Sequence, residues 1–394
     1  MSNPKNKQNS SIFKELVTNK ALMILLISVF IISVIIRITQ IPKGLPHYSI
    51  DENDIVEFAL GYYGGDLNPH WFKYGPLYSY VLAALYWIIS LVQGLNIHLF
   101  VENYFEDPSI FYQTSRSLNA LIHTGLAFIA FYIGRTFFSA RVALIGFIVA
   151  VIPIADALTN YSTRVDSLLA VFMSLSLLFS LHLAKDVNNM KWYILAGGML
   201  GFAIATKPLQ AVVMMPSIYA AYVIGQLYLS SSQKSKKGTR RPGVLKVLLH
   251  SVVDRKLYIL LLCALATLFL GHPYLFLDFD AFWRDTFSAI TGDTQAPWPK
   301  GYELSRYQGS LGWVFVGAVA LSLIYHWVDC FKKLQPVLLV LLVYISVYWL
   351  VFAFIPARDY FYVVLVPAMA VLLAFTIIQT AQSVENSYVR TALL

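Results

Sequence analysis

The chain has 394 residues, of which 58% are hydrophobic and only 13% charged, with a net charge of +8. A soluble protein carries about a quarter charged residues, so these proportions exclude an ordinary water-soluble enzyme and point to lipid. No long basic soluble segment is present to bind a nucleic acid. The two cysteines, Cys263 and Cys330, exclude a disulfide or cysteine-ligated metal framework.

Roughly eleven apolar stretches have the length that a bilayer demands. They lie near 21–41, 76–93, 116–133, 142–158, 167–184, 192–206, 208–229, 257–272, 310–326, 336–355 and 360–380. Only helices satisfy every backbone polar group across such a span without an edge to close. The expected fold is therefore an all-α polytopic membrane protein, a bundle of about 10–11 hydrophobic helices. Residues 1–20 form a basic amino terminus, 21–380 one membrane domain and 381–394 a short tail.

The first stretch follows Lys5, Lys7, Lys14 and Lys20 and ends at Arg37 with no small-residue cleavage site, the pattern of a signal anchor. Basic flanks face the cytoplasm, which puts the amino terminus inside and residue 51 outside. The stretch 230–256 carries eight Lys or Arg against one Asp and is expected to be a cytoplasmic loop. Counting from these two anchors places loops 42–75, 94–115 and 273–309 outside, and 134–141 and 185–191 inside. The stretch 76–93 then has both ends on one side. Either it is re-entrant or juxtamembrane, or another short segment fails to span.

Loop 42–75 opens with Asp51, Glu52, Asp54 and Glu57 and continues into "GDLNPHWFKYGPLYSY", with His70 and Lys73. Further on come Arg164 and Asp166 at the start of one helix and Lys207 between two others. Arg358 and Asp359 then precede the last helix. An ionisable group at membrane depth costs about 2.5–3.5 kcal/mol on insertion scales, so a functional role is its default reading. Carboxylates can deprotonate a hydroxyl or hold a divalent cation. Lys and Arg can hold a phosphate. Together these types suit transfer of a group carried by a lipid-linked phosphate, with a divalent cation as the one cofactor left open.

The order of elements resembles the GT-C glycosyltransferases, particularly relatives of the protein O-mannosyltransferases and lipid A aminoarabinose transferases. The resemblance runs from about residue 22 to 380. It rests on Arg37 followed by Asp51-Glu52 and on "NPHWFKYGPLYSYVL", with Lys73 one place displaced and Gly75 where the family has proline. It rests also on "YSTRVDSLLAVF" with Asp166, "GFAIATKPLQ" with Thr206 and Lys207, and "RDYFYVVLVPAMAVLLA", where Asp359 is inserted after Arg358.

That resemblance implies a polyprenyl-phosphate sugar donor (dolichyl or undecaprenyl type), an acceptor hydroxyl on a glycan, lipid or protein, and an inverting single displacement outside the cytoplasm. It implies Asp51 as general base, with Glu52 and Asp166 orienting the acceptor or a cation. Lys73, Lys207 and Arg358 would hold the donor phosphate, and His70, Arg164 and Tyr360 are possible substrate contacts. Bland alternatives stand beside these roles. The acidic pair suits a helix amino terminus, Asp166 an N-cap, Lys207 a snorkelling anchor, and Gly197, Gly198 and Gly201 close helix packing. A transporter or flippase of a lipid-linked or sugar substrate is the rival class. It should carry its charges at mid-helix and show paired broken helices, whereas here the charges collect on one face, outside the helices.

Overall fold

The computed structural model describes residues 20–42, 45, 50–151, 162–237, 243–291, 313–330, 335–354 and 359–383. Every regular element among them is helical. Each of the eleven apolar stretches overlaps a helix among the described residues. Helix α1 is Lys20–Ile38, apolar apart from Lys20, Ser28, Ser33 and Arg37, with Ile24, Ile32 and Ile35 exposed. After it come α2 (Ile50–Gly61), α3 (Leu77–Val92), α4 (Ile97–Glu102), α5 (Ser109–Phe137) and α6 (Ala140–Val151). The middle of the chain forms α7 (Val165–Lys185), α8 (Met190–Thr206), the short α9 (Pro208–Ala211) and α10 (Met215–Lys237). Then follow α11 (Val244–Ser251), α12 (Arg255–Gly271), α13 (Tyr274–Leu277) and α14 (Phe279–Thr291). The last three are α15 (Trp313–Cys330), α16 (Pro336–Phe354) and α17 (Val366–Ser383), the last entered through a 3-10 segment, Asp359–Leu365.

Four helices among the described residues are long and apolar enough to cross a membrane: Ser109–Phe137, Val165–Lys185, Pro208–Leu229 and Phe361–Ser383. Five shorter apolar helices join them, and α3 with the segment Ile97–Phe105 forms a pair bent by 108°. The bend follows Gly94, whose φ of +68° is open to glycine and costly for other residues. A chain that turns back here meets the constraint set by the charges, since residues 42–75 and 94–115 then need not lie on opposite sides. The segments read as loops are themselves partly helical. The stretch 42–75 holds α2, and 273–309 opens with α13 and α14. The stretch 230–256 takes in the end of α10, all of α11 and the start of α12.

Helix α7 is the centre of the bundle and packs against α5, α8, α10 and α16. Lipid is as apolar as leucine, so burial alone does not hold such helices together; close backbone approach and polar contacts do. Between α8 and α12, a Cβ added at Gly197 or Gly201 would lie 2.2 or 2.1 Å from a carbonyl oxygen of α12. The Thr267 hydroxyl donates to the Gly198 carbonyl across the same seam at 2.8 Å. These glycines serve packing, as their spacing suggests.

A second, smaller core sits at one end of the bundle. Ile55, Val56 and Ala59 of α2 meet Tyr78, Leu82 and Tyr86 of α3, Phe111 and Tyr112 of α5, and Val165 and Leu168 of α7. Its tyrosines also hydrogen-bond: Tyr86 Oη donates to the Phe111 carbonyl at 3.0 Å and Tyr112 Oη to Asn53 Oδ1 at 2.5 Å. This core carries the acidic helix α2 and fixes it against the start of α7.

Candidate active site

Asp51 and Glu52 occupy the first turn of α2, where a helix amino end favours negative charge. Adjacent on the helix, they point to different surroundings. Glu52 is fully buried and meets Arg116 of α5 in a two-pronged ion pair, both N–H···O distances being 2.8 Å. Its Oε1 also accepts the Thr163 backbone N–H at 2.8 Å, and Arg116 donates from Nη1 to the Ile41 carbonyl at 2.8 Å. Glu52 thus ties together the end of α1, the acidic helix, α5 and the entry to α7. The resemblance implies that Glu52 orients the acceptor or a cation; here its carboxylate is engaged with Arg116 and Thr163.

Asp51 is partly open and lies 4.0 Å from the Lys73 ammonium, which is itself 47% exposed. Asp54 follows on the same helix face. Burial raises its carboxyl above the ordinary aspartate range, Asp51 adds to the rise and Lys73 opposes it. Glu57 is turned to Tyr104, whose hydroxyl donates to it at 3.3 Å.

Asp166, in the first turn of α7, is buried and accepts a 2.8 Å hydrogen bond from Lys207 Nζ. Lys207 ends α8 with an extended backbone, and Pro208 opens α9. Its ammonium lies 3.9 Å from the ring centre of Phe361 and 5.3 Å from that of Tyr74. A snorkelling lysine would reach water; this one is held inside by a carboxylate and two rings. Asp51 and Arg164 both lie near enough to act on it electrostatically.

Lys73 in turn sits 5.7 Å from the Tyr74 ring, so Tyr74 is near both ammonium groups. Phe361 is fixed from behind, its carbonyl accepting from Gln210 Nε2 at 2.8 Å and Tyr348 Oη at 2.6 Å. Tyr360, the neighbour singled out by sequence, shares the 3-10 segment with it. Arg358 lies outside the described residues.

What brings Lys73 to Lys207 is Gly75. Its N–H donates to the Thr206 carbonyl at 3.0 Å, and a Cβ there would lie 1.9 Å from the Ala205 carbonyl oxygen. The glycine that replaces the family's proline is the contact point. Gly75→Val is expected to push the Lys73 loop off α8 and destabilise the fold by about 1–3 kcal/mol, as overpacking does. Thermal unfolding in detergent checks it, and an unchanged midpoint would show that the contact yields without cost.

The loop is roofed by the segment after α12. Asn68 Nδ2 donates to Asp278 Oδ2 at 2.8 Å and the Phe72 N–H to Asp285 Oδ2 at 3.0 Å. Phe72 stacks on His272, ring centres 5.5 Å apart. The His272 Nδ1 accepts the Leu275 N–H at 3.2 Å, so the ring serves the roof. His70 stands apart, exposed and bonded to Asp66 at 2.7 Å, which holds that carboxyl below its ordinary range. No group of three or more His, Cys, Asp or Glu side chains fit to hold a metal occurs among the described residues.

Four separated segments therefore deliver two acid–base pairs, Asp51–Lys73 and Asp166–Lys207, to one end of a membrane bundle. Residues 112–253 match the family described as dolichyl-phosphate-mannose-protein mannosyltransferase, a stretch that includes Arg116, Asp166 and Lys207. No curated protein matches the chain in sequence. In fold it is similar to ArnT from Cupriavidus metallidurans bound to undecaprenyl phosphate, with a TM-score of 0.56 and 15% identity. That match covers 91% of this chain and 60% of the other.

The oligosaccharyltransferase of Archaeoglobus fulgidus in the apo form gives 0.54 at 12% identity, covering 97% and 54%. The same archaeal enzyme, AglB, in complex with an inhibitory peptide and a dolichol-phosphate gives 0.52 at 11%, covering 93% and 53%. The chain has the GT-C membrane fold, and the resemblance drawn from its motifs is borne out. It spans between 53% and 60% of the length of these three solved chains.

Proposed function

We propose that the protein is a membrane glycosyltransferase that moves a sugar from a polyprenyl-phosphate donor to an acceptor hydroxyl, on the extracytoplasmic side. The observation that carries this reading is the meeting of a partly open carboxylate, Asp51, with the ammonium groups of Lys73 and Lys207 around Tyr74. In the proposed reaction Asp51 takes the hydroxyl proton as the acceptor oxygen attacks the anomeric carbon. The bond from that carbon to the phosphate oxygen breaks, and polyprenyl phosphate leaves from the opposite face with inversion. Lys73 meets the phosphate first, being half exposed. Lys207, held by Asp166, adds fixed positive charge where the leaving group becomes more negative. Glu52 and Asp166 act in this reading as positioning residues, through Arg116 and Lys207. The family match and the undecaprenyl- and dolichol-phosphate seen on the similar folds support the donor class.

Purified protein incubated with a panel of polyprenyl-phosphate sugars, with products weighed by mass spectrometry, tests the activity; no turnover with any donor would argue for a transporter. Lys73→Gln is the cleaner probe of donor binding, because removing Lys207 would leave Asp166 buried and unpaired. Donor affinity should fall by on the order of 1.5–3 kcal/mol, the range for a charged hydrogen bond, with the fold intact. Equal affinities would take Lys73 out of the site.

Sidedness has its own test. In a background with Cys263 and Cys330 replaced, the exposed positions Asp66→Cys and Asp186→Cys lie toward opposite ends of the bundle. An impermeant thiol reagent should label the first in intact cells and the second only after permeabilisation. The reverse pattern would invert the topology.

A further inference from the structure

At the end of the bundle away from the carboxylates there is a cavity of about 510 Å³. Asp166 begins α7 and Lys185 ends it, so the length of that helix, about 30 Å at 1.5 Å per residue, separates the cavity from the proposed active site. Its volume falls within the range of about 300–1,000 Å³ common to small-molecule sites. The turn between α5 and α6, the end of α7, Tyr228 of α10, the second half of α17 and the first turn of α16 line it.

The lining has two characters. Phe138 and Phe375, with ring centres 4.7 Å apart, form an apolar wall. Gln335, Gln379 and Gln382 bring amides, and Lys185 brings an ammonium that lies 5.0 Å from the Phe137 ring centre. Among the described residues no carboxylate lines the cavity and none pairs with Lys185. The first residues of α16 add the partial positive charge of a helix amino end. A positive charge beside amide donors and aromatic walls suits a molecule that is anionic at one end and apolar at the other.

We propose that this cavity binds an anionic phospholipid, its phosphate on Lys185 and the glutamine amides and its chains against the phenylalanines. The lipid then braces α7 against α16 and α17 at the end of the bundle remote from the chemistry. The site is independent of the glycosyltransferase reading, since none of its residues belongs to the carboxylate–lysine cluster. A phosphate could come from a lipid headgroup or from a soluble ester, and the apolar wall favours the lipid.

The full chain, purified in neutral detergent, is examined by native mass spectrometry and thermal unfolding with phosphatidylglycerol, phosphatidylcholine or glycerol 3-phosphate. The wild type should retain one phosphatidylglycerol, unfold at a higher temperature with it, and respond to neither of the others. Lys185→Gln should weaken retention on the order of tenfold, the equivalent of one charged hydrogen bond. Gln379→Leu should weaken it less, and both variants should match the wild type in lipid-free detergent. Equal retention of phosphatidylcholine, or undiminished retention of phosphatidylglycerol by both variants, would overturn the proposal. So would a glycerol 3-phosphate effect as large as that of the lipid. Should Lys185→Gln fail to fold, Gln379→Leu alone decides the matter.

Discussion

Asp51→Asn should lower turnover by about 10²–10⁴-fold, the usual cost of removing a general base, while leaving donor affinity nearly as it was. Asparagine keeps the size of the side chain but cannot take a proton. The neighbouring Lys73 sits 4.0 Å away at a half-exposed site, where an ion pair contributes about 0–1 kcal/mol, so the fold should tolerate the change. Activity is measured as sugar transferred per enzyme, and donor binding separately in the same detergent. Asp54→Asn is the matched control, one turn further along the same face. If Asp51→Asn keeps most of its activity while Asp54→Asn does not, the base is Asp54. If both are fully active, the acidic helix has no part in proton transfer.

The largest effect on stability should come from Arg116→Met. It leaves the Glu52 carboxylate buried with no counter-charge, and removing one partner of a buried ion pair typically costs about 3–5 kcal/mol. Pairing the change with Glu52→Leu removes the orphaned charge as well. The double variant should regain much of the lost stability, because two apolar side chains can replace a buried ion pair at little cost. Its activity should stay low. The Thr163 N–H and the Ile41 carbonyl lose their shared partners, and the acidic helix is no longer registered on α7. A double variant that recovers both stability and activity would show that the ion pair serves folding alone.

The helices were legible because membrane-length apolar runs leave few alternatives, and each expected stretch overlaps a helix among the described residues. The bend in residues 77–105 was legible only as a conflict in the charge count, since nothing in a run of apolar residues says that it breaks near Gly94. The site was half legible. Asp166 and Lys207 stood out as ions beside apolar helices, but 41 residues separate them, and their pairing depends on how α7 and α8 pack. Arg116 escaped notice because it sits near the start of a long helix, where a basic residue looks like an ordinary flank. For the same reason Glu52 looked like part of an open acidic patch. Tyr74 and Phe361 carried no signal beyond aromatic abundance, and their value lies in which ammonium rests on them. Gly75 was visible as a departure from a family pattern, yet its role follows from a carbonyl 130 residues away in the chain.

The Glu52 junction also bears on how the protein is made. Its partners emerge late: Arg116 lies 64 residues further along and Thr163 lies 111. At synthesis rates of about 5–20 residues per second, the acid waits roughly 3–13 s for its guanidinium and roughly 6–22 s for the backbone donor. During that interval it can stay hydrated or take up a proton, and the helix that bears Asp51 can pack on α3 and α5 but not yet on the start of α7. Closing of the junction therefore marks the moment at which the growing chain first contains a complete acidic end. A nascent chain arrested before residue 163 should leave that helix open to proteases that the finished protein resists.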